Sequence, residues 1–380
     1  MTDSIQIDTE KMVNEFTELT AIDSPSLGER QMADCLMKKL KDIGFSVDED
    51  DCAARIHGNA GNLYAYLPGT LPGRPVLFSG HMDTVEPSCG KKAVRHPDGK
   101  ITSDGSTVLG ADDLAGVSEI LEGIRSVIRA GVPRRGIEIL FSPAEEIFTV
   151  GAEQFDYSRI RAKEAYCLDL SGHIGTAAVE APSLVSFHIT IHGKAAHAGF
   201  EPEKGINAIA AAARAVSRIQ QGHISDKTTL NIGTISGGTQ INVVSPSCEL
   251  TGEARGFVHE EVLAAVENTR RIFEEAAEEA GASVTFESRV HLHTYRNGDD
   301  DAALRHFRDA CRDIGIESYT IRTFGGSDVN QFVLHGLDGL VISSGMTDSH
   351  TTAEYVEEKD LADGARLVAA LITQEAEIDS

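Results

Sequence analysis

The stretch PVLFSGHMDT, residues 75–84, places a histidine and an aspartate two positions apart at the end of an apolar run. In a strand, alternate side chains share a face, so His81 and Asp83 point to the same side while Met82 points away. A metal-bound imidazole usually has a carboxylate near its other ring nitrogen, which fixes the tautomer and raises the basicity of the ring. The pair therefore predicts a metal ligand, His81, with Asp83 to orient it. The alternative is two polar residues that merely close a strand.

A second strand end, FSPAEEIF, carries two adjacent carboxylates, Glu145 and Glu146. Neighbouring carboxylates repel each other, so the pKa of one should rise unless cations offset the charge. One residue can then bind a metal ion while the other transfers protons. The alternative is a solvated helix start, where the helix dipole favours glutamate.

Three more polar side chains follow predicted strands: Asp112 in VLGADDLAG, Asp169 in AYCLDLSG and His350 in GMTDSHTTAEYV. Ligands of open α/β sheets collect at the carboxyl ends of the strands, so these residues should share one cleft with His81 and Glu146. Two imidazoles and three carboxylates suit two divalent metal ions, with zinc favoured by the mixed nitrogen and oxygen ligands and cobalt or manganese as alternatives. Such sites hold their ions about 3.5–4 Å apart and need a bridging carboxylate.

The elements that must position these residues are short apolar runs with helices between them. Such runs fit strands buried on both faces, which predicts an α/β fold with a mostly parallel, helix-covered sheet. A helix is expected from about 113 to 130, with Asp113 at its start. The apolar runs are NLYAYL (62–67), PVLFSG (75–80), IEILFS (137–142) and AYCLDL (165–170).

An earlier helix has its own start and stop signals. Ser26 and Glu29 have the spacing of a capping box, in which two side chains bind free N–H groups at a helix start. Gly44 should end this helix. Its apolar positions recur at helical spacing and are Met32, Leu36, Leu40 and Ile43.

Near Pro182 the pattern changes to strict alternation of apolar and polar residues, in VSFHITIH at 185–192. Alternation predicts a sheet with one solvent-exposed face, unlike the sheet predicted before Pro182, and therefore a separate α+β domain. We expect a catalytic domain in two parts, 1–181 and 294–380, interrupted by this smaller domain at 182–293. The elements expected after VSFHITIH are helices at about 206–220 and 260–280 and strands at about 229–236, 248–257 and 283–291.

The composition excludes several classes of protein. A formal net charge of -25 disfavours nucleic acid and anionic lipid as partners, because phosphate binding depends on clustered Lys and Arg. No apolar run approaches the ~18 residues of a membrane span, and the acidic N-terminus lacks the features of a signal peptide. The 6 cysteines are scattered without a C-x-x-C pair, which argues against disulfides and a cysteine zinc site. We expect a cytoplasmic protein without a nucleic-acid or membrane partner.

Motifs along nearly the whole chain resemble those of the co-catalytic di-zinc peptidase family. In order they are GHMDTV, LGADDLAG, SPAEEIF, CLDLSG, HGKAAHAG, GEARG, GGSDVN and HTTAEYV. The family includes peptidase T, carboxypeptidase G, aminoacylase and succinyl-diaminopimelate desuccinylase, and the likeness is closest to the peptidase T branch. The resemblance implies a zinc-exopeptidase-like catalytic domain that is interrupted by a lid and dimerisation domain. It also implies the metal ligands: Asp112 bridges both ions, His81 and Asp169 complete one, and Glu146 and His350 complete the other.

The resemblance further assigns roles in catalysis. It makes Glu145 the general base that takes a proton from the metal-bridging water and later delivers it to the leaving amine. Asp83 orients His81. His197, in HGKAAHAG, matches a histidine that reaches the substrate oxyanion, in dimeric members from the neighbouring subunit.

Substrate-binding residues are implied in the same way. Arg255 matches an arginine that binds a substrate carboxylate, and Asn242 lies near it in the lid. The loop FGGSDVNQF matches family residues on the substrate side, namely Gly325, Gly326 and Asn330. A homodimer is expected from the resemblance. One departure is Leu114, where many relatives have Lys.

The leading functional hypothesis is a metal-dependent aminopeptidase that acts on short peptides, and Asp rather than Glu at Asp169 favours the peptidase members. The alternative is an N-acyl-amino-acid amidohydrolase, because the same metal ions and Glu145 would act on either amide. A metal-storing relative without catalysis would have no use for Glu145 beside a ligand. A nucleotide-binding fold lacks support, because no G-x-G-x-x-G follows a strand and opens a helix.

Overall fold

The computed structural model describes residues 5–375. Within this range the helices are α1 (Thr9–Thr20), α2 (Arg30–Ile43), α3 (Cys52–Ile56), α4 (Ala111–Ala130), α5 (Val150–Glu153), α6 (Ala208–Arg218), α7 (His259–Glu279), α8 (Ala302–Asp313), α9 (Val329–Leu334) and α10 (Glu358–Thr373). The strands are β1 (Ser46–Glu49), β2 (Leu63–Leu67), β3 (Val76–His81), β4 (Val94–Arg95), β5 (Lys100–Thr102), β6 (Ile137–Ser142), β7 (Glu164–Leu170), β8 (Thr176–Ala181), β9 (Ser183–His192), β10 (Gly222–His223), β11 (Thr228–Gly237), β12 (Ser247–Gly256), β13 (Ser283–Leu292), β14 (Tyr295–Arg296), β15 (Tyr319–Arg322), β16 (Asp338–Ser343) and β17 (Tyr355–Glu357).

The large sheet runs in the order β1-β2-β6-β3-β7-β16-β8, with β14 and β15 beside β8. Its centre is parallel, because β3 pairs with β6 and β7, and β7 pairs with β16. The pairs β2–β6 and β16–β8 are antiparallel. Every residue of β3 and β6 is buried, as expected for apolar strands that are covered on both faces. The predicted α/β fold is confirmed, with a sheet that is parallel in its centre and antiparallel toward its edges.

The parallel centre brings several carboxyl ends to one edge of the sheet. His81 ends β3, Ser142 ends β6, and Ser343 ends β16. Asp169 is the last residue but one of β7. His81 and Asp169 thus lie at the ends of neighbouring strands, and Glu146 and His350 follow neighbouring strands. Asp112, which was also expected to follow a strand of this sheet, lies instead in the first turn of α4, after a segment that is not a strand.

Helix α4 begins at Ala111, slightly before the predicted start, and ends at Ala130. Gly110 precedes it in the left-handed conformation, with φ 80°. Asp112 and Asp113 depart from helical dihedral angles, and the peptide bond between them is cis. The first turn of α4 is therefore an irregular segment that carries two buried carboxylates.

The close approach of α4 to the sheet depends on a glycine. A Cβ atom added at Gly116 would lie 2.4 Å from the carbonyl oxygen of Leu168 in β7. Glycine is therefore required where the helix crosses this strand. Leu114, where the chain departs from the family pattern, is fully buried in the same core.

Helix α2 is confirmed, and Gly44 ends it in a left-handed conformation with φ 113°. The predicted capping box is wrong. Glu29 occupies the N-cap position, but its side chain makes no capping hydrogen bond there. The side chains of Ser26 and Glu29 bind elsewhere, as described below.

The chain divides into two compact units. The first comprises the chain up to Val179, residues 296–322 and the chain from Ser327 onward, and the second comprises 180–295 and 323–326. The sequence placed these boundaries after residues 181 and 293.

The second unit has its own antiparallel sheet, in the order β10-β11-β12-β9-β13. Helices α6 and α7 pack against it. The predicted alternation in β9 is confirmed, because Phe187, Ile189 and Ile191 are buried while His188 and His192 are exposed. None of the helices within residues 5–375 combines the length and the apolar character that a transmembrane span requires.

Candidate metal centre

Asp112 lies between two imidazoles. Its Oδ1 atom is 3.0 Å from Nε2 of His81, and its Oδ2 atom is 3.1 Å from Nε2 of His350. The carboxylate is 8% exposed. Each oxygen therefore faces a different histidine, as a carboxylate that bridges two cations must.

Two groups of ligand atoms share Asp112. The first is His81, Asp112 and Asp169, and the second is Asp112, Glu146 and His350; within each group the atoms lie within 4.8 Å of one another. Nε2 of His81 is 3.9 Å from Oδ1 of Asp169, and Nε2 of His350 is 3.1 Å from Oε2 of Glu146. The structure thus brings together all five residues that were predicted to share a cleft.

His350 reaches this cluster from a loop between β16 and β17. The loop is closed by Thr347 and Tyr355, whose backbone groups form hydrogen bonds of 2.9 and 3.0 Å in both directions. His350 itself is left-handed, with φ 63°, and its side chain is exposed. The second group of ligands is therefore the more open to solvent.

The electrostatics of the cluster favour bound cations. Burial raises the pKa of Asp169 well above its ordinary value, and the Asp112 charge adds to this shift. Burial likewise raises the pKa of Glu146, against hydrogen bonding to His350. Hydrogen bonds to Asp112 and Glu146 in turn raise the pKa of His350 to about 10. These carboxylates repel one another at close range, and positive charge among them offsets the repulsion.

The donor atoms fit two divalent metal ions. Oε1 of Glu146 is buried and has no hydrogen-bond partner among the described residues, although buried polar atoms are nearly always paired. Imidazole nitrogens combined with carboxylate oxygens form the ligand set of zinc and related ions. These residues can therefore hold two metal ions that share Asp112.

His81 is oriented chiefly by a backbone group. Its Nδ1 atom is 2.9 Å from the carbonyl oxygen of Asp83 and 3.5 Å from the Oδ1 atom of the same residue. With the proton on Nδ1, the ring donates to this carbonyl and leaves the lone pair of Nε2 facing Asp112. The contact between Asp83 and His81 is thus made mainly by the main chain of Asp83, and a role of the Asp83 side chain in orienting the ring stays a prediction.

The Asp83 carboxylate has a different task, which the sequence did not indicate. Its Oδ1 atom accepts the backbone N–H of Glu145 at 3.0 Å, and its Oδ2 atom accepts that of Glu146 at 3.2 Å. The hydroxyl of Ser26 also donates to Oδ2, at 2.7 Å. Asp83 is fully buried and holds the turn that carries both glutamates.

Glu145 differs from the metal-ligand candidates, because it belongs to neither group of ligand atoms. Burial raises the pKa of its carboxyl well above the ordinary value, and the charges of Glu146 and Asp328 raise it further, against the effect of His81. A carboxylate with a raised pKa is a stronger base than an ordinary one. The environment of Glu145 therefore suits proton transfer.

Asp113 does not start a helix in the usual sense, contrary to the expectation from the sequence. Its side chain is fully buried and makes no capping hydrogen bond. Its Oδ2 atom instead accepts the backbone N–H of His81 at 3.2 Å. Burial raises the pKa of Asp113 well above its usual value. Both aspartates of the motif therefore serve the site, Asp112 at its surface and Asp113 behind it.

Two further acids near the centre were missed. Glu354 accepts the backbone N–H groups of Gly110 at 2.7 Å and of Asp112 at 2.9 Å. Asp328 is 1% exposed and accepts the hydroxyl of Ser142. Both residues stand in the motifs HTTAEYV and GGSDVN, but no spacing rule marks an acid whose partners are distant backbone groups or a strand-end serine.

The other predicted site residues lie mainly in the second unit. His197 is exposed, and its Nδ1 atom accepts the backbone N–H groups of Gly199 at 3.1 Å and Phe200 at 3.2 Å. This leaves Nε2 as the protonated nitrogen. Asn242 is also exposed, and its carbonyl oxygen accepts the N–H of Ala198 at 2.9 Å, so it lies beside the His197 segment.

Arg255 is engaged with other protein groups. Its Nε and Nη2 atoms donate to the carboxylate of Glu253 at 2.8 and 3.1 Å, and Nη1 donates to the carbonyl of Phe324 at 3.0 Å. Gly325 and Gly326 follow Phe324 directly, so this segment lies at Arg255. A substrate carboxylate at Arg255 would have to share the guanidinium with Glu253. Asn330 is buried, and its Oδ1 atom accepts the N–H of Ser327 at 3.1 Å.

Comparison with protein families places both units among peptidases. Residues 62–178 match the model of peptidase family M28, and residues 179–281 match that of a peptidase dimerisation domain. The first match includes His81, Asp112, Glu146 and Asp169.

Similar proteins of nearly the same length are known. An uncharacterized protein, YqjE, of Bacillus subtilis is 36% identical over 97% of this chain and 100% of its own length. Aminopeptidase PepT from Bacillus cereus, whose crystal structure is known, is 38% identical in sequence. Its structure matches this one with a TM-score of 0.87, over 97% of this chain and 98% of its own. A tripeptidase structure from Staphylococcus aureus is 31% identical, with a TM-score of 0.92 over the same shares, 97% and 98%. The chain therefore belongs to the co-catalytic di-zinc peptidase family, among relatives of the peptidase T branch.

Proposed function

We propose that the protein is a metal-dependent aminopeptidase that releases N-terminal residues from short peptides, tripeptides above all. The observation that carries the proposal is the carboxylate of Asp112, which faces one imidazole with each oxygen. Similarity to an aminopeptidase and to a tripeptidase along nearly the full chain supports the choice of substrate.

The proposed cofactor is a pair of divalent metal ions. His81, Asp112 and Asp169 would hold one, and Asp112, Glu146 and His350 would hold the other. We propose zinc, because mixed imidazole and carboxylate ligands favour it, with cobalt or manganese as alternatives. Such ions polarise the scissile carbonyl and lower the pKa of water toward ~7.

Glu145 is the proposed general base. It accepts the proton of the attacking water as the new C–O bond forms, and it returns that proton to the amine nitrogen as the C–N bond breaks. Burial raises the pKa of Glu145 above its ordinary value, which supports this assignment, because a carboxylate with a raised pKa is a stronger base toward the proton of the water. Asp83 supports the reaction by fixing the backbone of Glu145 and Glu146.

The second unit is proposed to bind the substrate and to form a homodimer. The match to a peptidase dimerisation domain at residues 179–281 supports the dimer. Because Nδ1 of His197 accepts two backbone N–H groups, its Nε2–H is available to donate to a substrate oxyanion, in a dimer from the neighbouring subunit. Arg255, Asn242, Gly325 and Gly326 are the proposed contacts to the rest of the peptide. Location in the cytoplasm stays a prediction.

A substrate panel tests this proposal. The purified protein, loaded in turn with zinc, cobalt and manganese, is assayed with Ala-Ala-Ala, Ala-Ala, N-acetyl-Ala-Ala-Ala and N-acetyl-alanine. We expect release of alanine from the free tripeptide and a much lower kcat/KM for the acetylated tripeptide, because an aminopeptidase requires the free α-amino group that acetylation removes. Turnover of N-acetyl-alanine alone would overturn the proposal in favour of an amidohydrolase.

A further inference from the structure

The Ser26-x-x-Glu29 motif has a role that its capping-box spacing does not suggest. Neither side chain caps α2. The segment lies along the backbone that follows β3, because Pro25 and Thr84 form a parallel bridge and the N–H of Thr84 donates to the carbonyl of Ser24 at 2.9 Å. The motif is therefore placed against the residues that support the metal centre.

Ser26 fixes a carboxylate. Its hydroxyl donates to Oδ2 of Asp83 at 2.7 Å. Asp83 also accepts the N–H groups of Glu145 and Glu146, at 3.0 and 3.2 Å, and lies 3.5 Å from Nδ1 of His81. Ser26 is thus linked through a single residue, Asp83, to the proposed general base and to ligands of both proposed metal ions.

Glu29 fixes two backbone positions with one oxygen atom. Its Oε1 atom accepts the N–H of Leu27 at 2.7 Å and the N–H of Ala144 at 3.0 Å. Both residues are left-handed without being glycine, with φ 70° for Leu27 and 55° for Ala144. Such conformations are strained and persist only where their surroundings hold them. Ala144 immediately precedes Glu145, so this hydrogen bond sets the direction in which the two glutamates leave β6.

The burial of these groups makes the contacts specific. Glu29 and Asp83 are both 0% exposed. A buried acceptor that binds a strained N–H cannot be replaced by bulk water without a rearrangement of the turn. The contact between Glu29 and Ala144 spans 115 residues of sequence, so it serves the tertiary arrangement and not a local turn.

We propose that Ser26 and Glu29 are positioning residues of the metal centre, which hold Asp83 and Ala144 and thereby place Glu145 and Glu146. The inference rests on the proposed metallopeptidase function, because it assigns these residues to the same centre. Groups that orient metal ligands typically contribute about 10- to 100-fold to metal affinity or activity.

The test uses Ser26→Ala, Glu29→Ala and Glu29→Gln in the full-length protein. Gln keeps the oxygen that accepts both N–H groups, whereas Ala removes it. Glu138→Ala is the matched control, because Glu138 is also fully buried and accepts backbone N–H groups, from Arg161 at 3.1 Å and Ala162 at 2.8 Å. Glu138 lies near the start of β6, whereas the metal centre lies at its end.

Cobalt affinity is read first, from the visible absorption of Co²⁺ titrated into the metal-free protein. Two Co²⁺ ions should bind with different affinities. We expect Ser26→Ala and Glu29→Ala to lower the affinity for the more weakly bound ion by about 10-fold or more. Glu29→Gln should stay within about twofold of wild type, and Glu138→Ala should lower the Tm without changing cobalt affinity. With Ala-Ala-Ala at saturating metal, kcat should fall about 10-fold in the two alanine variants, with KM little changed.

Several outcomes would overturn the inference. Wild-type cobalt affinity and kcat in both alanine variants, with only the Tm reduced, would mean that the residues merely stabilise the fold. An equal loss in Glu29→Gln and Glu29→Ala would mean that the shared oxygen is not what matters. If wild type binds two cobalt ions but cleaves no peptide, the proposed function fails while the cobalt titration still decides this inference. If wild type binds no cobalt, the positioning role is wrong as well.

Discussion

Replacement of Glu354 should loosen the turn that presents Asp112. The carboxylate of Glu354 accepts the N–H of Gly110 at 2.7 Å with one oxygen and the N–H of Asp112 at 2.9 Å with the other. It is 1% exposed, so both bonds are shielded from water. The two contacts join the start of α4 to a residue that lies 242 positions after Asp112 in the sequence.

The size of the effect follows from the number of bonds lost. Each buried N–H left without a partner costs ~1–3 kcal/mol. Glu354→Gln keeps one accepting oxygen and turns its amide N–H₂ toward the other backbone N–H, so about 1–3 kcal/mol of unfolding free energy should be lost. Glu354→Ala loses both acceptors, about 2–6 kcal/mol, with the lower end expected if water enters the space.

The assay separates global from local effects. Urea unfolding of the metal-free protein gives the loss of stability, and titration with zinc gives the apparent metal affinity. If the lost energy is confined to the turn, affinity should fall about 5- to 150-fold in Glu354→Gln, since ~1–3 kcal/mol corresponds to that factor. An unchanged unfolding free energy together with unchanged zinc affinity in Glu354→Gln would refute the reasoning, because the hydrogen bonds would then contribute neither to stability nor to metal binding.

Two further predictions concern the proposed general base, Glu145, and an ion pair remote from it. Glu145→Gln should lower kcat for Ala-Ala-Ala by about 10²–10⁴-fold. Elemental analysis should still find two metal ions in this variant, because Glu145 lies in neither ligand group. Full activity in this variant would show that another group takes the proton. Glu15 is buried and its pKa is lowered, since hydrogen bonds and charge from Arg125 outweigh the effect of burial. Its stabilising effect should be complete above the ordinary glutamate pKa of ~4.3 and should be lost as the pH falls through the lowered folded value. Urea unfolding at pH 7 should therefore show a larger gap between wild type and Glu15→Gln than at pH 3, and a gap that is constant or grows toward low pH would contradict the assignment.

The strand ends were predictable from the sequence because they follow from burial. Central parallel strands are covered on both faces, so they appear as short apolar runs, and the first polar residues after them lie at the edge of the sheet. His81, Asp169 and Glu146 were found in this way, and the structure brings them to Asp112 and His350. The alternation in β9 was equally direct, since one face of that strand is buried.

The supporting residues were not predictable in the same way. Ser26 and Glu29 have the spacing of a helix cap, yet their partners are Asp83 and Ala144, which lie 57 and 115 residues away in the sequence. A pattern rule compares residues within one turn of a helix and contains no information on such distant acceptors. Asp113 was assigned to a helix start for the same reason, although it binds the backbone of His81.

The acids of a metal centre thus split into two kinds. Those that face the cluster, such as Asp169 at the end of β7, are recognisable by their position at strand ends and by the histidines that accompany them. Those that hold the backbone, such as Glu354 and the carboxylate of Asp83, are chemically identical, and only the three-dimensional structure separates them.

The number of metal ions bound per chain tests the central claim most directly. Metal-free protein is dialysed against zinc and its metal content is measured for wild type, for Asp112→Asn and for the control Asp51→Asn, whose carboxylate is exposed and pairs with Arg55. Because each oxygen of Asp112 faces a separate ligand group, we predict two ions in wild type and in the control, and no more than one in Asp112→Asn. A single ion in wild type, or two tightly bound ions in Asp112→Asn, would contradict the shared role of Asp112.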